Sequence, residues 1–304
     1  MARKRKIHKP FDLGFSLLFN EFPEEFLELI GAPGKFRRKA NANVYVGNSD
    51  KLKMDASYIV DPDYKTVFRP SVCNGEHQST PVDDAKLAIM GDYAVQQIHD
   101  ENLPQISWVA SHIPKEKHKT ELEYTQSCII RPVFLDLGEE DNRKRLSSVK
   151  NIISQQDYIS TKDALNLGVI ALFAPRHHAR EITEQTVQLY DKIAGQLSKK
   201  LEYTVYSVLR AMVDAYFDDE SEYWGLISMM NQNTSADTAE RFVSLEIMQE
   251  DLEVAHNNLE AAHNDLEVAN NNLEVAHSDL EAAEDRIKEL EAKVEQLEEE
   301  LDSK

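Results

Sequence analysis

A chain of 304 residues, 41% of them hydrophobic and 29% charged, is long enough for one or two domains with a true apolar core. Its two cysteines, Cys73 and Cys128, form no CxxC pair, which excludes a disulfide scaffold and a zinc ribbon and predicts a reducing, cytoplasmic compartment. The formal net charge of −20 would exclude a nucleic-acid partner only if it were evenly spread, and it is not.

From residue 245 to 304 nineteen Asp/Glu stand against four Lys/Arg, a balance of −15 that leaves −5 for residues 1–244. Within that remainder lie Arg3-Lys4-Arg5-Lys6, Lys35-Phe36-Arg37-Arg38-Lys39 and Arg143-Lys144-Arg145. Such runs bind phosphates or, more often, form solvated faces. No apolar run reaches the roughly 20 residues of a bilayer span, and no signal-peptide core opens the chain, so no membrane partner is expected.

Residues 13–30 carry Phe15, Leu18, Phe19, Phe22, Phe26, Leu27 and Ile30 at helical spacing, up to the stop at Gly31-Ala32-Pro33-Gly34. Pro23 predicts a second helix, with Asn20 or Glu21 in the bend. Residues 43–46 and 52–60 are short β-like runs around Gly47-Asn48-Ser49-Asp50, a hairpin signal, and residues 67–78 form a third candidate strand. A helix is predicted over 83–100, then two strands over 106–113 and 129–137, both apolar enough to be central. From residue 141 the pattern is helical: 143–154, 179–197, 203–217 and 221–231. The expected fold is α/β, a mixed sheet with helices packed on it, divided as a core (1–140), a helical subdomain (141–240) and a rod (241–304).

The rod is a heptad repeat. Position a holds Leu245, Leu252, Leu259, Leu266, Leu273, Leu280, Ile287, Val294 and Leu301, and position d holds Met248, Ala255, Ala262, Ala269, Ala276, Ala283, Leu290 and Leu297. That seam predicts a left-handed coiled coil, about 90 Å long if the helix is continuous, and hence a homo-oligomer through residues 245–304. Ala at d buries little, so the end from Ile287 to Leu301 should hold best. His256, His263 and His277 recur at multiples of seven, too far apart to chelate within a helix.

In Glu76-His77-Gln78-Ser79 the side chains of Glu76 and Gln78 share one strand face, and Asp55 meets them if its segment is the neighbouring strand. Two carboxylates and a neutral amide make an oxygen-ligand site suited to Mg²⁺ or Mn²⁺, and phosphodiester hydrolysis is the chemistry such a site most often serves. The plain alternatives are a turn flank for Asp55 and edge-strand exposure for Glu76. Against these, Val67, Phe68, Val72 and Cys73 mark a buried strand, where an unpaired Glu is costly. Both cysteines read as small core residues, and His177-His178 beside Arg176 and Arg180 as a helix entry. Neither GxSxG nor a Gly-rich phosphate loop occurs.

The order helix, hairpin with Asp, strand with Glu-x-Gln, then helix resembles the PD-(D/E)XK nuclease superfamily. More narrowly, Glu76-His77-Gln78-Ser79, Lys53-Met54-Asp55 and the opening Phe11-Asp12 with Phe15 and Leu18-Phe19 are similar to the Rpn-type recombination-promoting nucleases of transposase type, over residues 8–240. This resemblance implies a divalent-metal-dependent DNA endonuclease in which Asp55 and Glu76 ligate Mg²⁺ or Mn²⁺ and Gln78 stands where Lys is usual. Asp12 takes the place of the helix-borne acid, with Glu21 or Glu25 as alternatives. The chain departs from the family at Phe11, where His is expected, and at Ser16, where Lys is expected. Gln orients by hydrogen bonds but supplies no charge, so a catalytically weak or inactive binding and assembly protein is the alternative reading.

Overall fold

The computed structural model describes residues 7, 9–46, 50–125, 128–155 and 158–302, so the basic run at residues 3–6 and the hairpin tip at 47–49 lie outside the described residues. The chain divides into two units, residues 1–246 and residues 247–304. Among the described residues no helix is long and apolar enough to cross a membrane.

In the first unit, α1 (Pro10–Glu21) and α2 (Pro23–Ile30) each begin on a proline, whose missing N–H costs nothing in a first turn. Phe22 makes the bend, and Gly31 ends α2 at φ 71°. The basic run at 35–39 is β1 (Lys35–Lys39), an edge strand whose charges discourage pairing with another chain. β2 (Asn43–Val46) and β3 (Asp50–Lys53) form a hairpin sheet of their own. Then come β4 (Ala56–Asp61), β5 (Ser71–Gln78), α3 (Asp84–Glu101) and β6 (Gln105–Ser111), followed by a second small hairpin, β7 (Leu122–Thr125) and β8 (Cys128–Ile130), and by β9 (Val133–Asp136). The main sheet has the order β1-β4-β5-β6-β9, antiparallel from β1 through β5 and parallel from β5 to β9.

Two predicted strands are divided in the structure. The run 52–60 breaks at Met54 and Asp55, between β3 and β4, which takes Asp55 out of the ladder and leaves its side chain free to turn toward β5. The run 129–137 breaks around Pro132, which has no N–H for a ladder, so β8 joins the small hairpin and β9 lies at the edge of the main sheet instead of at its centre.

Helices α4 (Glu139–Ser154), α5 (Thr161–Leu172), α6 (Ala179–Ile193), α7 (Lys199–Tyr216) and α8 (Glu220–Asn233) complete the unit before α9 (Ala236–Asp302). No helix was expected over α5. Its residues from Ala164 to Leu172 are nearly all buried, and a helix enclosed on every side shows no amphipathic period. Phe15, Leu18, Trp108, Leu165, Val208, Met212 and Phe242 belong to one core. The helical segment after residue 140 therefore shares its interior with the sheet and does not form a core of its own.

The first turns of α9 are tied to α7 by Glu202, 4% exposed, whose carboxylate accepts from the Ser235 N–H at 3.0 Å and from the Ser235 and Thr238 hydroxyls. Glu202→Ala leaves these buried donors unpaired and is expected to lower the stability of the first unit by about 3 kcal/mol in urea unfolding.

Candidate metal and catalytic site

Alternation along β5 sends Cys73, Gly75 and His77 to one face of the sheet and Asn74, Glu76 and Gln78 to the other. The first face meets α1. His77 stacks on Phe11 and Phe15 at ring-centroid distances of 6.0 and 5.8 Å and meets Phe173 edge-on at 5.3 Å. Burial, with His112 adding to it, holds its imidazole down at about 3, so the histidine of Glu-His-Gln-Ser is a neutral packing residue.

The second face meets α3. Antiparallel register sets Ala56 opposite Gly75, and Asp55 comes to lie beside Glu76. Asp55 Oδ2 accepts from the His77 backbone N–H at 2.8 Å. Glu76 is 2% exposed; its Oε2 is 2.6 Å from Lys86 Nζ, while its Oε1 has no hydrogen-bond partner. Lys86 sits in the first turn of α3, where Asp83 caps the helix by accepting from the Lys86 N–H at 2.8 Å.

A buried Glu76 beside the half-buried Asp55 disfavours ionisation of both carboxyls at once. Burial first, then Asp55, push the Glu76 carboxyl up to about 8 against the opposing pull of Lys86. Burial also raises Asp55, with Asp12 adding to it, against the His77 N–H, Lys86 and a hydrogen bond from the protonated Glu76 carboxyl. Tyr93 of α3 is raised by burial and then by the fields of Glu76 and Asp55. Asp12 is exposed on α1 and acts on Asp55 through its field; of the three helix-borne acids considered, Glu21 is instead 3.4 Å from Lys200. Gln78 is half-buried, its backbone carbonyl accepting from Ser111 Oγ at 2.8 Å.

The Glu76 Oε1 that no donor group satisfies, and the Asp55 carboxylate that raises Glu76, fit a hard divalent cation, with Asp55 and Glu76 as its oxygen ligands. Lys86 was not singled out in the sequence. The signal was present in its place on the first turn of the helix after the Glu strand, but the pairing depends on how α3 crosses the sheet.

Glu76 and His77 also fix how the metal-free protein responds to pH. Between about pH 4.5 and 8 the folded protein keeps a proton on Glu76 that the unfolded chain has lost, so stability falls as pH rises through that window. His77 works on the acid side: unfolded it takes a proton below 6.5, folded it stays neutral down to about 3, so stability falls as pH drops through that range. Thermal melts in EDTA should therefore be highest between about pH 4.5 and 6.5, and Glu76→Gln should flatten the alkaline decline.

Beyond Gln78 the chain lines a cavity of about 690 Å³ at the C-terminal ends of the parallel strands, with Ser79, His112, Asp136, Lys144, Arg176 and His177 among its walls. Arg176 donates to the Ser79 carbonyl at 3.2 Å. Glu139, His177 and His178 bring three ligand-type atoms within 4.8 Å of one another there, a grouping not foreseen in the sequence. Helix α6 starts just after His178, as expected for a helix entry, and Arg180 pairs with Glu222. No family model, curated protein or solved structure matches this chain.

Proposed function

We propose that the first unit is a divalent-metal-dependent DNA endonuclease of PD-(D/E)XK type, serving recombination or transposition, and that the chain self-associates through residues 245–304. One observation carries the reading: a buried Glu76, with one carboxylate oxygen left without a hydrogen-bond donor, on β5 beside Lys86 and the half-buried Asp55 that precedes β4. The order α1, β1, β4, β5, α3, β6, with β1-β4-β5-β6 adjacent in the sheet, supports it as the expected nuclease arrangement.

Asp55 and Glu76 would hold Mg²⁺ or Mn²⁺, which supplies polarisation of a phosphodiester oxygen and eases ionisation of water. The His77 N–H orients the Asp55 carboxylate, and Lys86 places the positive charge that Gln78 lacks within reach of the same carboxylates. Gln78, on the Glu76 face, positions by hydrogen bonding. The test is nicking of supercoiled plasmid with Mg²⁺ or Mn²⁺ and its loss in EDTA.

A second reading, a non-catalytic binding and assembly protein, is favoured by the Lys86–Glu76 ion pair itself, which satisfies half of the carboxylate without a metal. Calorimetry with Mn²⁺ separates the two. A cation must displace the proton that Glu76 holds, so the apparent affinity should rise roughly tenfold per pH unit up to about pH 8, and Glu76→Gln should remove that dependence. No Mn²⁺ heat at pH 8 would favour the second reading.

A further inference from the structure

We propose that the rod is a parallel, in-register coiled coil between two copies of this chain, aligned by its last three heptads. This rests on the self-association reading and adds direction and register to it. In the single chain the a-position residues Leu259, Leu266, Leu273 and Leu280 are 69%, 58%, 72% and 58% exposed, so the seam is uncovered at these described positions. A soluble helix with such a stripe needs an apolar partner, and a second identical stripe is the one whose spacing matches along its whole length.

Direction is set by which residues occupy a and d. Ile287 and Val294 at a alternate with Leu290 and Leu297 at d, the combination that packs best in a parallel pair of helices. Parallel register sets this strong end against its own copy. In an antiparallel pair of full overlap Ile287 faces Ala255, while Leu290, Val294 and Leu297 face Leu252, Met248 and Leu245, so the layers of Ile/Val at a and Leu at d that suit a parallel pair are no longer formed.

Charge flanking the seam agrees. Along a parallel pair, position g of one chain approaches position e five residues further along the other. Arg286 then meets Glu291 and Lys293 meets Glu298, each twice by symmetry, against one like-charged combination, Asp279 with Glu284. The antiparallel overlap brings Asp265 to Asp279 and leaves a single attractive combination, Asp251 with Lys293. Within the chain Arg286 and Lys293 already reach Glu289 at 2.8 and 2.9 Å. These exposed contacts are exchangeable, so the partner's carboxylates compete for the same cations.

The test is disulfide trapping in the full-length chain, with Cys128→Ser as background. Ala283 is a d position, so Ala283→Cys brings the two new thiols together only in a parallel, in-register pair and should cross-link to a covalent dimer under mild oxidation. Antiparallel overlap instead sets residue 283 against residue 259. A mixture of Leu259→Cys and Ala283→Cys chains that cross-links only as the mixed pair would overturn the proposed direction while keeping self-association. A monomer in sedimentation equilibrium would overturn both. As a second measurement, Glu291→Lys with Glu298→Lys should raise the dimer dissociation constant roughly tenfold or more, and adding Arg286→Glu with Lys293→Glu should restore it. An unchanged constant would overturn the register.

Discussion

Glu76→Gln is expected to lower Mg²⁺-dependent plasmid nicking roughly a thousandfold, about 4 kcal/mol of transition-state stabilisation. Gln keeps the volume of Glu and a carbonyl oxygen for Lys86, so the fold is retained while one anionic ligand is lost. Asp55→Asn should act similarly, because its carboxylate is the partner of Glu76 and is oriented by the His77 N–H. Asp12→Asn should cost only about tenfold, since Asp12 is exposed and influences Asp55 through its field. Lys86→Met should fall between, roughly a hundredfold, if this lysine supplies the charge that Gln78 cannot. Equal nicking by wild type, Glu76→Gln and Asp55→Asn would sink the catalytic assignment, whatever the folding of the variants.

The largest structural loss is expected from Gly75→Ala. A Cβ at Gly75 would lie inside the van der Waals envelope of the Trp108 six-membered ring. That ring has nowhere to go: Trp108 is fully buried, its Nε1 donates to Tyr58 Oη at 2.8 Å, and Phe15 packs on it at 6.3 Å. A well-packed core that must take up extra volume loses typically up to 3 kcal/mol, and a clash with an immobile ring should reach about 3 or more. Because Gly75 precedes Glu76 on β5, any shift of the strand also moves the carboxylate. The measurement is the urea midpoint by tryptophan fluorescence, with Mn²⁺ calorimetry on the folded fraction. Unchanged stability would mean that β5 and β6 are further apart than the register of Gly75 opposite Trp108 implies.

Several elements were legible before any coordinates. The proline that opens α2, the helical period over 83–100 and the heptad period of α9 are local signals, and the structure places those helices within a few residues of expectation. The basic run at 35–39 was read as a possible phosphate patch, and nothing in it distinguished an edge strand, because alternation is invisible when nearly every side chain is charged. Helix α5 was missed for the opposite reason, burial on every side. Pro132 divides the run 129–137 because it has no N–H to give a ladder, a signal that the apolar content of the run outweighs in the sequence.

For the candidate site, period-two alternation along β5 was enough to put Glu76 and Gln78 on one face and His77 on the other. It also made Asp55 a neighbour once two strands were assumed to pair. What period and spacing do not contain is the third dimension of the site. Only the crossing of α3 over β5 brings Lys86 to Glu76, only the packing of α1 makes His77 a core residue, and only the covering of this sheet face by α3 buries Glu76 so deeply that its proton is held up to about pH 8. By itself the sequence determined the α/β class, the seam of the rod and the identity of the paired carboxylates, because these follow from short-range periodicity. The tertiary structure decided the charge balance and protonation of that pair, because electrostatic energies depend on burial and on distances between elements remote in the chain.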